Sequence, residues 1–402
     1  MTPMIHQKPG NRLRTRKVAA AAALLVLAAA CGGSSGSKAT SAGNGGKDTG
    51  PIRIGVINSY TGAFGLYGKP MEAALRASFA KVHNEVAGRA VELVFEDDAT
   101  DASTAVSKAN KLVDQDHVSM VVCCANGAST LAVGAVLAER KIPQLGPIPN
   151  PSGLSKYPTA AVAAPTAGHD ATALGKYAAT GLKYKRAVVI ASDFSYGKEV
   201  GAGFASGFTG AGGQVVKTVY APMNTQDYGS YLSQIPATDV VFAGFAGADA
   251  IRFVKQYKQF SGKHPAPLIG HGPLVTELVL KAIGPAAVGV GGGFFYSSSL
   301  DNAANKEFIT TMKAVNPKFV PSHFTAGAWT VGEVITDAIT RLKGQVSDGQ
   351  KLADAIRATK LDAPWGSLVF DASTGYANAP TYYYTVVADN GVLHHKILAT
   401  IG

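Results

Sequence analysis

Residues 52–122 read IRIGVINSYTGAFGLYGKPMEAALRASFAKVHNEVAGRAVELVFEDDATDASTAVSKANKLVDQDHVSMVV. Ile52–Ile57 is a short apolar run that reads as a strand buried on both faces. A glycine-rich turn over 59–68 follows, and Pro70 suits the first turn of a helix that the apolar spacing carries to about Val86. Val91–Phe95 reads as the next strand, running into Glu96-Asp97-Asp98. Ser103–Asp114 reads as a helix and Met120–Cys123 as a buried strand. Alternation of this kind, with short connections, predicts parallel strands carrying helices on both faces of the sheet.

The rhythm continues outward. Ser129–Arg140 reads as a helix and Pro143–Leu145 as a strand. Strands at Ala187–Ala191, Gln214–Tyr220, Val240–Ala243 and Pro267–Gly270 alternate with helices at Gly197–Thr209, Tyr228–Gln234 and Ala248–Gln259. Two similar α/β units are implied, although no sequence repeat marks them. Ala326–Arg341 is apolar at helical spacing and reads as core, and a closing hairpin is expected near Ser367–Val387. Ligands of open parallel sheets lie beyond the carboxyl ends of the strands. The loops to watch are therefore 58–69, 97–101, 124–129, 146–154, 192–197, 244–248 and 271–275.

The amino-terminal segment has a different character. Arg12–Lys17 is positively charged, Val18–Ala30 is an unbroken apolar run, and Ala28-Ala29-Ala30 precedes Cys31. Thirteen apolar residues are too few to span a bilayer, which takes about 20. Basic, apolar and small-residue regions in that order predict a signal peptide over 1–30. Cys31 at the break resembles a bacterial lipobox cysteine, with Ala28 where leucine is usual. It is expected to be acylated, the alternative being an ordinary secretory signal with an incidental cysteine. Residues 32–50 hold seven Gly and four Ser and no large apolar side chain, so 31–50 reads as a flexible tether.

Composition excludes several classes. With 47% hydrophobic and 16% charged positions in 402 residues the chain is neither disordered nor a coiled coil. Half of the formal charge of +10 sits in the leader, at Lys8, Arg12, Arg14, Arg16 and Lys17, which argues against a basic nucleic-acid-binding face. No G-x-S-x-G elbow or P-loop occurs, and His264, His271, His394 and His395 lack partners at metal-ligand spacing. No catalytic residues, metal or cofactor are expected, and an enzyme is disfavoured. Three cysteines make no disulfide framework; adjacent Cys123 and Cys124 read either as two buried thiols or as a vicinal disulfide flooring a site. Gly291-Gly292-Gly293 suggests a hinge or close packing.

The stretch quoted above, together with Ala191-Ser192-Asp193-Phe194-Ser195-Tyr196-Gly197, Val240-Val241-Phe242-Ala243-Gly244-Phe245 and APWGSLVFD at 363–371, resembles the branched-chain amino-acid-binding (leucine/isoleucine/valine-binding) family of ABC-importer solute receptors. The resemblance spans about 50–402. It implies the type I periplasmic-binding fold: two Rossmann-like α/β lobes with parallel-rich sheets, joined by three crossovers and closing on a ligand. By that pattern lobe 1 would be 51–166 plus 295–364, and lobe 2 would be 167–294 plus 365–402. It further implies a small-molecule ligand delivered to an ABC permease complex by a monomeric protein held outside the cytoplasm on the cell membrane. A ligand-sensing receptor of the same fold, signalling to a regulatory partner, is the alternative.

Family members grip a ligand carboxylate with first-lobe N–H groups and hydroxyls, meet its ammonium with a second-lobe acid, and pack its side chain with aromatics. Carried onto this chain, the resemblance implies contacts from Tyr67, from Asn126-Gly127-Ala128-Ser129, from Asn150 between two prolines, and from Tyr196, Phe245 and His271. Each has a plain alternative: core packing for the aromatics, a helix cap for Ser129, a loop histidine for His271. Asp97 and Asp98 read as braces of the following turn. Amino-acid receptors carry a glutamate near position 271, and this chain has none. A buried ammonium without a carboxylate is expensive, so an aromatic or aliphatic carboxylate or amide is expected on equal terms with a branched-chain or other hydrophobic amino acid.

Overall fold

The computed structural model describes residues 48–260 and 266–402. The leader, Cys31 and most of the tether, on which the signal-peptide and lipid-anchor readings rest, lie outside the described residues. The first half of the body runs β1 (Ile52–Asn58), α1 (Gly65–Ala80), β2 (Glu85–Val86), β3 (Arg89–Asp97), α2 (Ala102–Asp114), β4 (Met120–Cys123), α3 (Gly127–Glu139), β5 (Gln144–Gly146) and β6 (Ala160–Val162). These strands form one sheet in the order β2-β3-β1-β4-β5-β6. It is parallel except for the short β2, which pairs antiparallel with β3. α1 is shifted from the expected span. It starts five residues before Pro70 and stops at Ala80, because Val86 is drawn into the β2–β3 hairpin, whose turn residues Ala87 and Gly88 both have positive φ.

The chain continues through α4 (Ala167–Thr180), β7 (Arg186–Ser192), α5 (Ser195–Gly210), β8 (Gln214–Ala221), α6 (Gly229–Leu232), β9 (Val240–Gly244), α7 (Gly247–Phe260), β10 (Leu268–His271), α8 (Glu277–Ile283) and β11 (Gly291–Phe294). It then adds α9 (Ala303–Val315), α10 (His323–Arg341), α11 (Gly349–Arg357), β12 (Lys360–Ala363), β13 (Gly366–Phe370), β14 (Ala377–Asn378), β15 (Tyr382–Asp389) and β16 (Val392–Thr400). The second sheet has the order β16-β15-β11-β10-β9-β7-β8, with β15 and β16 antiparallel and the rest parallel.

Two α/β lobes, each with a parallel-rich sheet, are the architecture expected from the strand–helix alternation. A third, three-stranded sheet joins β12, β13 and β14, and Val162 of β6 bridges to Tyr376 beside it. The expected division at 364/365 falls inside this small sheet. The closing hairpin is β15–β16 around Asn390-Gly391, later than the expected Ser367–Val387.

Burial explains the layering. Ile52, Ile54 and Val56 of β1 face the main core with Met71 and Leu75 of α1 and Val331 of α10. Ile57, Val121 and Cys123 face a smaller cluster with Leu112, Val133 and Leu137 of α2 and α3. The glycine triplet is a site of close packing: a Cβ on Gly291, Gly292 or Gly293 would press on Tyr383, Tyr384 or Leu174. Cys123 and Cys124 are bonded to each other and wholly buried in the smaller cluster, where they do not floor the cleft.

The candidate ligand cleft

The carboxyl ends of β1, β4 and β5 in one sheet and of β7, β9 and β10 in the other feed loops that converge on a cavity. Tyr67 in the first turn of α1 is wholly buried and stacks on Phe324 of α10, with ring centroids 3.6 Å apart and planes at 18°. At the start of α3, the Asn126 carboxamide oxygen accepts from the Ala128 N–H at 3.0 Å. Its NH2 donates to the Thr100 carbonyl and to Ser129 Oγ. The Asn126 side chain is thus the helix cap. Gly127 lines the cavity, against Pro151.

Asn150 donates to the Ile148 carbonyl at 2.8 Å and holds the loop whose Pro149 and Pro151 form part of the wall. From the second lobe come Phe194, Tyr196, Ala246, His271, Pro273 and Phe294. Tyr196 Oη lies 2.9 Å from His271 Nδ1. Phe294 turns its ring at right angles to both His271 and His323, at 4.6 and 4.5 Å between centroids. His323, the first residue of α10, places Nδ1 3.2 Å from Thr276 Oγ1 across the cleft.

Four of the expected positions, Tyr67, Gly127, Tyr196 and His271, come together here. Asn126, Ala128, Ser129 and Asn150 stand behind the wall and shape it. Phe245 is a correction. Its ring packs on Phe253 and edge-on to Tyr228 in the second-lobe core, because the chain turns after β9 and hands the wall to Ala246. Asp97 accepts from the Tyr60, Thr61 and Ala99 N–H groups, Asp98 accepts from Ser59 Oγ, and Asp193 pairs with Lys198 at the surface.

Sequence reasoning missed the rings of Phe64, Phe194, Phe294 and Phe324, and it missed His323 and Asp170. A signal for His323-Phe324 was present, since Ser322 is the cap of a capping box with Thr325 and sets the pair at the mouth of a helix. Asp170 of α4 is wholly buried behind His271. Its Oδ1 accepts from Thr381 Oγ1 at 2.6 Å, while its Oδ2 lies 3.9 Å from His271 Nε2.

Burial sets the charge of the cleft. Loss of water pushes Asp170 up to about 8, against the Thr381 hydroxyl and the Phe295 N–H that favour its ionised form. His271 is pushed down to about 3 by burial, with His323 adding a little. His323 is pushed down to about 3 by burial, partly opposed by Glu277. Near neutral pH the cleft therefore holds neutral imidazoles, phenols and apolar rings. Among the described residues no cluster of three or more His, Cys, Asp or Glu is placed to hold a metal, and no helix is long and apolar enough to cross a membrane.

The enclosed space is about 30 Å3, room for about one water. The facing loops touch directly. The Gly247 N–H donates to Tyr67 Oη at 2.8 Å, Ala248 N–H to the Ala63 carbonyl at 3.3 Å, and Ser152 N–H to the Glu199 carboxylate at 3.0 Å. An organic ligand needs roughly 300 Å3 or more, so admitting one requires these contacts to part. A depression of about 290 Å3 walled by Ile235, Tyr257 and Phe260 lies at the amino end of β9, away from the converging loops.

The periplasmic binding protein family model matches residues 51–391. The Leu/Ile/Val-binding protein homolog 6 of Brucella melitensis is 27% identical over 358 residues, 87% of this chain and 91% of that protein. An ABC transporter substrate-binding protein from Sphaerobacter thermophilus superposes with a TM-score of 0.81 at 29% identity, covering 87% of this chain and 98% of that one. A solute-binding protein of an ABC transporter from Rhodopseudomonas palustris, in complex with p-hydroxybenzoic acid, superposes with a TM-score of 0.82 at 26% identity, covering 87% and 96%.

Proposed function

Because the chain belongs to the periplasmic binding protein family, we propose that it is an extracytoplasmic receptor that captures a flat aromatic carboxylate between its lobes and delivers it to an ABC importer. One observation carries the choice of ligand: the cavity wall is built of aromatic rings and two imidazoles held neutral by burial, and no carboxylate is among its lining residues. An ammonium group would enter such a site without a charged partner, at a cost of several kcal/mol. The bound p-hydroxybenzoic acid of the Rhodopseudomonas protein and the branched-chain specificity in the name of the Brucella relative mark the two ligand classes to compare. Aromatic walls favour the first.

The mechanism is hinge closure. The chain passes between the lobes around 163–166, 295–302 and 379–381, and rotation there opens the contacts made by Tyr67, Glu199 and His323. A ligand bridging both lobes stabilises the closed arrangement only by what it touches in that arrangement. Cys31 carries the lipid that keeps the receptor beside its permease, a reading that rests on Ala28-Ala29-Ala30-Cys31 and the glycine-serine tether. Intact mass of native protein tests it, and an unlipidated terminus elsewhere would refute it.

Calorimetry with benzoate, 4-hydroxybenzoate, leucine, isoleucine and valine tests the ligand. Benzoates binding at micromolar strength, with an added stability of about 2.7 kcal/mol at 100 times the dissociation constant, is the expected result. Tight binding of leucine, with none of its deaminated acid, would overturn the aromatic-acid reading.

A further inference from the structure

Two polar atoms at the inner end of the cleft face each other without a hydrogen-bond partner: Asp170 Oδ2 and His271 Nε2, 3.9 Å apart in residues of zero exposure. Each belongs to a side chain whose other polar atom is engaged. Asp170 Oδ1 accepts the Thr381 hydroxyl, and His271 Nδ1 meets Tyr196 Oη at 2.9 Å. The three side chains form a line from α4 through β10 to Tyr196 on the cavity wall. Where the hydrogens lie along that line decides whether Tyr196 offers a ligand a donor or an acceptor.

Resting on the receptor reading above, we propose that Asp170 is a positioning residue that acts through His271 to make the Tyr196 hydroxyl a hydrogen-bond donor. The inner end of the cleft then takes a carboxylate or carbonyl oxygen of the ligand and rejects an ammonium.

The hydrogens are placed as follows. Oδ1 is occupied as an acceptor, so the hydrogen of the neutral acid sits on Oδ2 and points at His271 Nε2. Nε2 then carries a lone pair, and the single hydrogen of the neutral imidazole lies on Nδ1. That Nδ1–H donates to the Tyr196 oxygen. The Tyr196 hydrogen is left for the cavity, where no other side chain of the described residues accepts it. Burial of both partners, which keeps the acid and the imidazole uncharged, fits this arrangement. An ionised Asp170 would draw the imidazole hydrogen to Nε2, turn the Tyr196–His271 bond round and leave Tyr196 as an acceptor. The titratable groups nearest the line are Tyr384 of β15, His323 of α10 and Tyr67 of α1, with His169 next to Asp170 on its own helix.

Histidine nitrogen NMR on the full body, without ligand, tests the line directly. His271 should be the Nδ1–H tautomer in the wild type near pH 6. It should remain so in Asp170→Asn, whose NH2 replaces the acid hydrogen, and lose that preference in Asp170→Leu. Raising the pH through about 8 should switch the tautomer in the wild type and leave Asp170→Asn unchanged. An Nε2–H tautomer in the wild type at pH 6 overturns the proposal.

Calorimetry with benzoate and benzylamine supplies the second arm. Benzoate should bind Tyr196→Phe roughly 10-fold more weakly and Asp170→Asn within about 3-fold of wild type, on the scale of one hydrogen bond to a charged group. Benzylamine outcompeting benzoate overturns the donor assignment of Tyr196. Failure of any aromatic acid to bind, with the tautomer as expected, refutes the ligand reading and leaves the line intact.

Discussion

The backbone N–H of Gly247 donates to the hydroxyl of Tyr67 at 2.8 Å across 180 residues of sequence, and this bond ties the start of α7 in one lobe to the start of α1 in the other. Gly247 has φ +63, and a Cβ there would come within 2.5 Å of the Ala63 carbonyl oxygen. Gly247→Ala is therefore strained in its backbone and clashes with the facing lobe. Holding the lobes apart removes a contact that a ligand must break to enter, so benzoate affinity should rise while the separate lobes stay folded. Scattering should show a larger mean radius than wild type. Unchanged affinity and radius would mean that this contact plays no part in closure. Tyr67→Phe removes only the hydroxyl and keeps the stack on Phe324, so a loss of about 0.5–1.5 kcal/mol is expected, the value of one hydrogen bond.

Stability should depend on pH in a way that identifies Asp170. Its folded pKa of about 8 lies above the ordinary carboxyl value, so folding near neutral pH takes up a proton. Its contribution is best below about pH 4 and declines as pH rises through 8. Asp170→Asn has no proton to take up. The variant should match the wild type near pH 4 and exceed it by up to about 4 kcal/mol at pH 7. Melting temperatures of the two proteins across pH 4–8 give the comparison. Curves that stay parallel would place an ionised, paired Asp170 in the folded protein.

Glu277 should behave in the opposite sense. Burial would raise its pKa, but the charge and hydrogen bond of His395 and the Ser298 N–H outweigh that and hold it at about 2. A lowered acid contributes stability above its unfolded value, near 4.5, and loses it as pH falls toward 2. Glu277→Gln should cost about 3 kcal/mol at pH 7 and little at pH 2. Denaturant midpoints at the two pH values measure this, and an equal cost at both would refute the charge account.

The fold was legible in 52–122 because strand and helix periodicities are local properties of the chain, and the parallel sheets follow from their alternation. The third sheet was not, because β12–β14 are held by pairing with one another and by Val162, a relation made over two hundred residues. Four residues of the cleft wall were legible for the same local reason. Tyr67, Gly127 and Tyr196 lie at the helix starts that follow β1, β4 and β7, and His271 ends β10, where the carboxyl-end rule points. Asp170 enters from α4, which follows the three-residue strand β6 that periodicity does not mark, and His323 opens α10, which follows a helix and no strand end. Phe245 was misplaced by one residue, since only the turn after Gly244 decides whether it or Ala246 faces the facing lobe. The missing acid near His271 was a correct reading of the loop, yet a carboxyl group reaches the same region from behind.

Closure should be visible in one tryptophan and not in the other. Trp365 is wholly buried between β12 and β13, with its ring edge-on to Phe295 at 4.9 Å and its carbonyl accepting from the Tyr382 hydroxyl. Phe295 follows Phe294 of the cleft wall and contacts its ring at 4.7 Å, so a ligand that moves Phe294 shifts the surroundings of Trp365. Trp329 lies two turns into α10 beside Phe308 and Lys81, within the first-lobe core, and moves with that lobe as a body. Benzoate should therefore change the emission of Trp329→Phe, which retains Trp365, nearly as much as that of the wild type. The signal should vanish in Trp365→Phe, with affinity by calorimetry kept within a few-fold. A full signal in Trp365→Phe would show that ligand acts on the first-lobe core and not through the passages between the lobes.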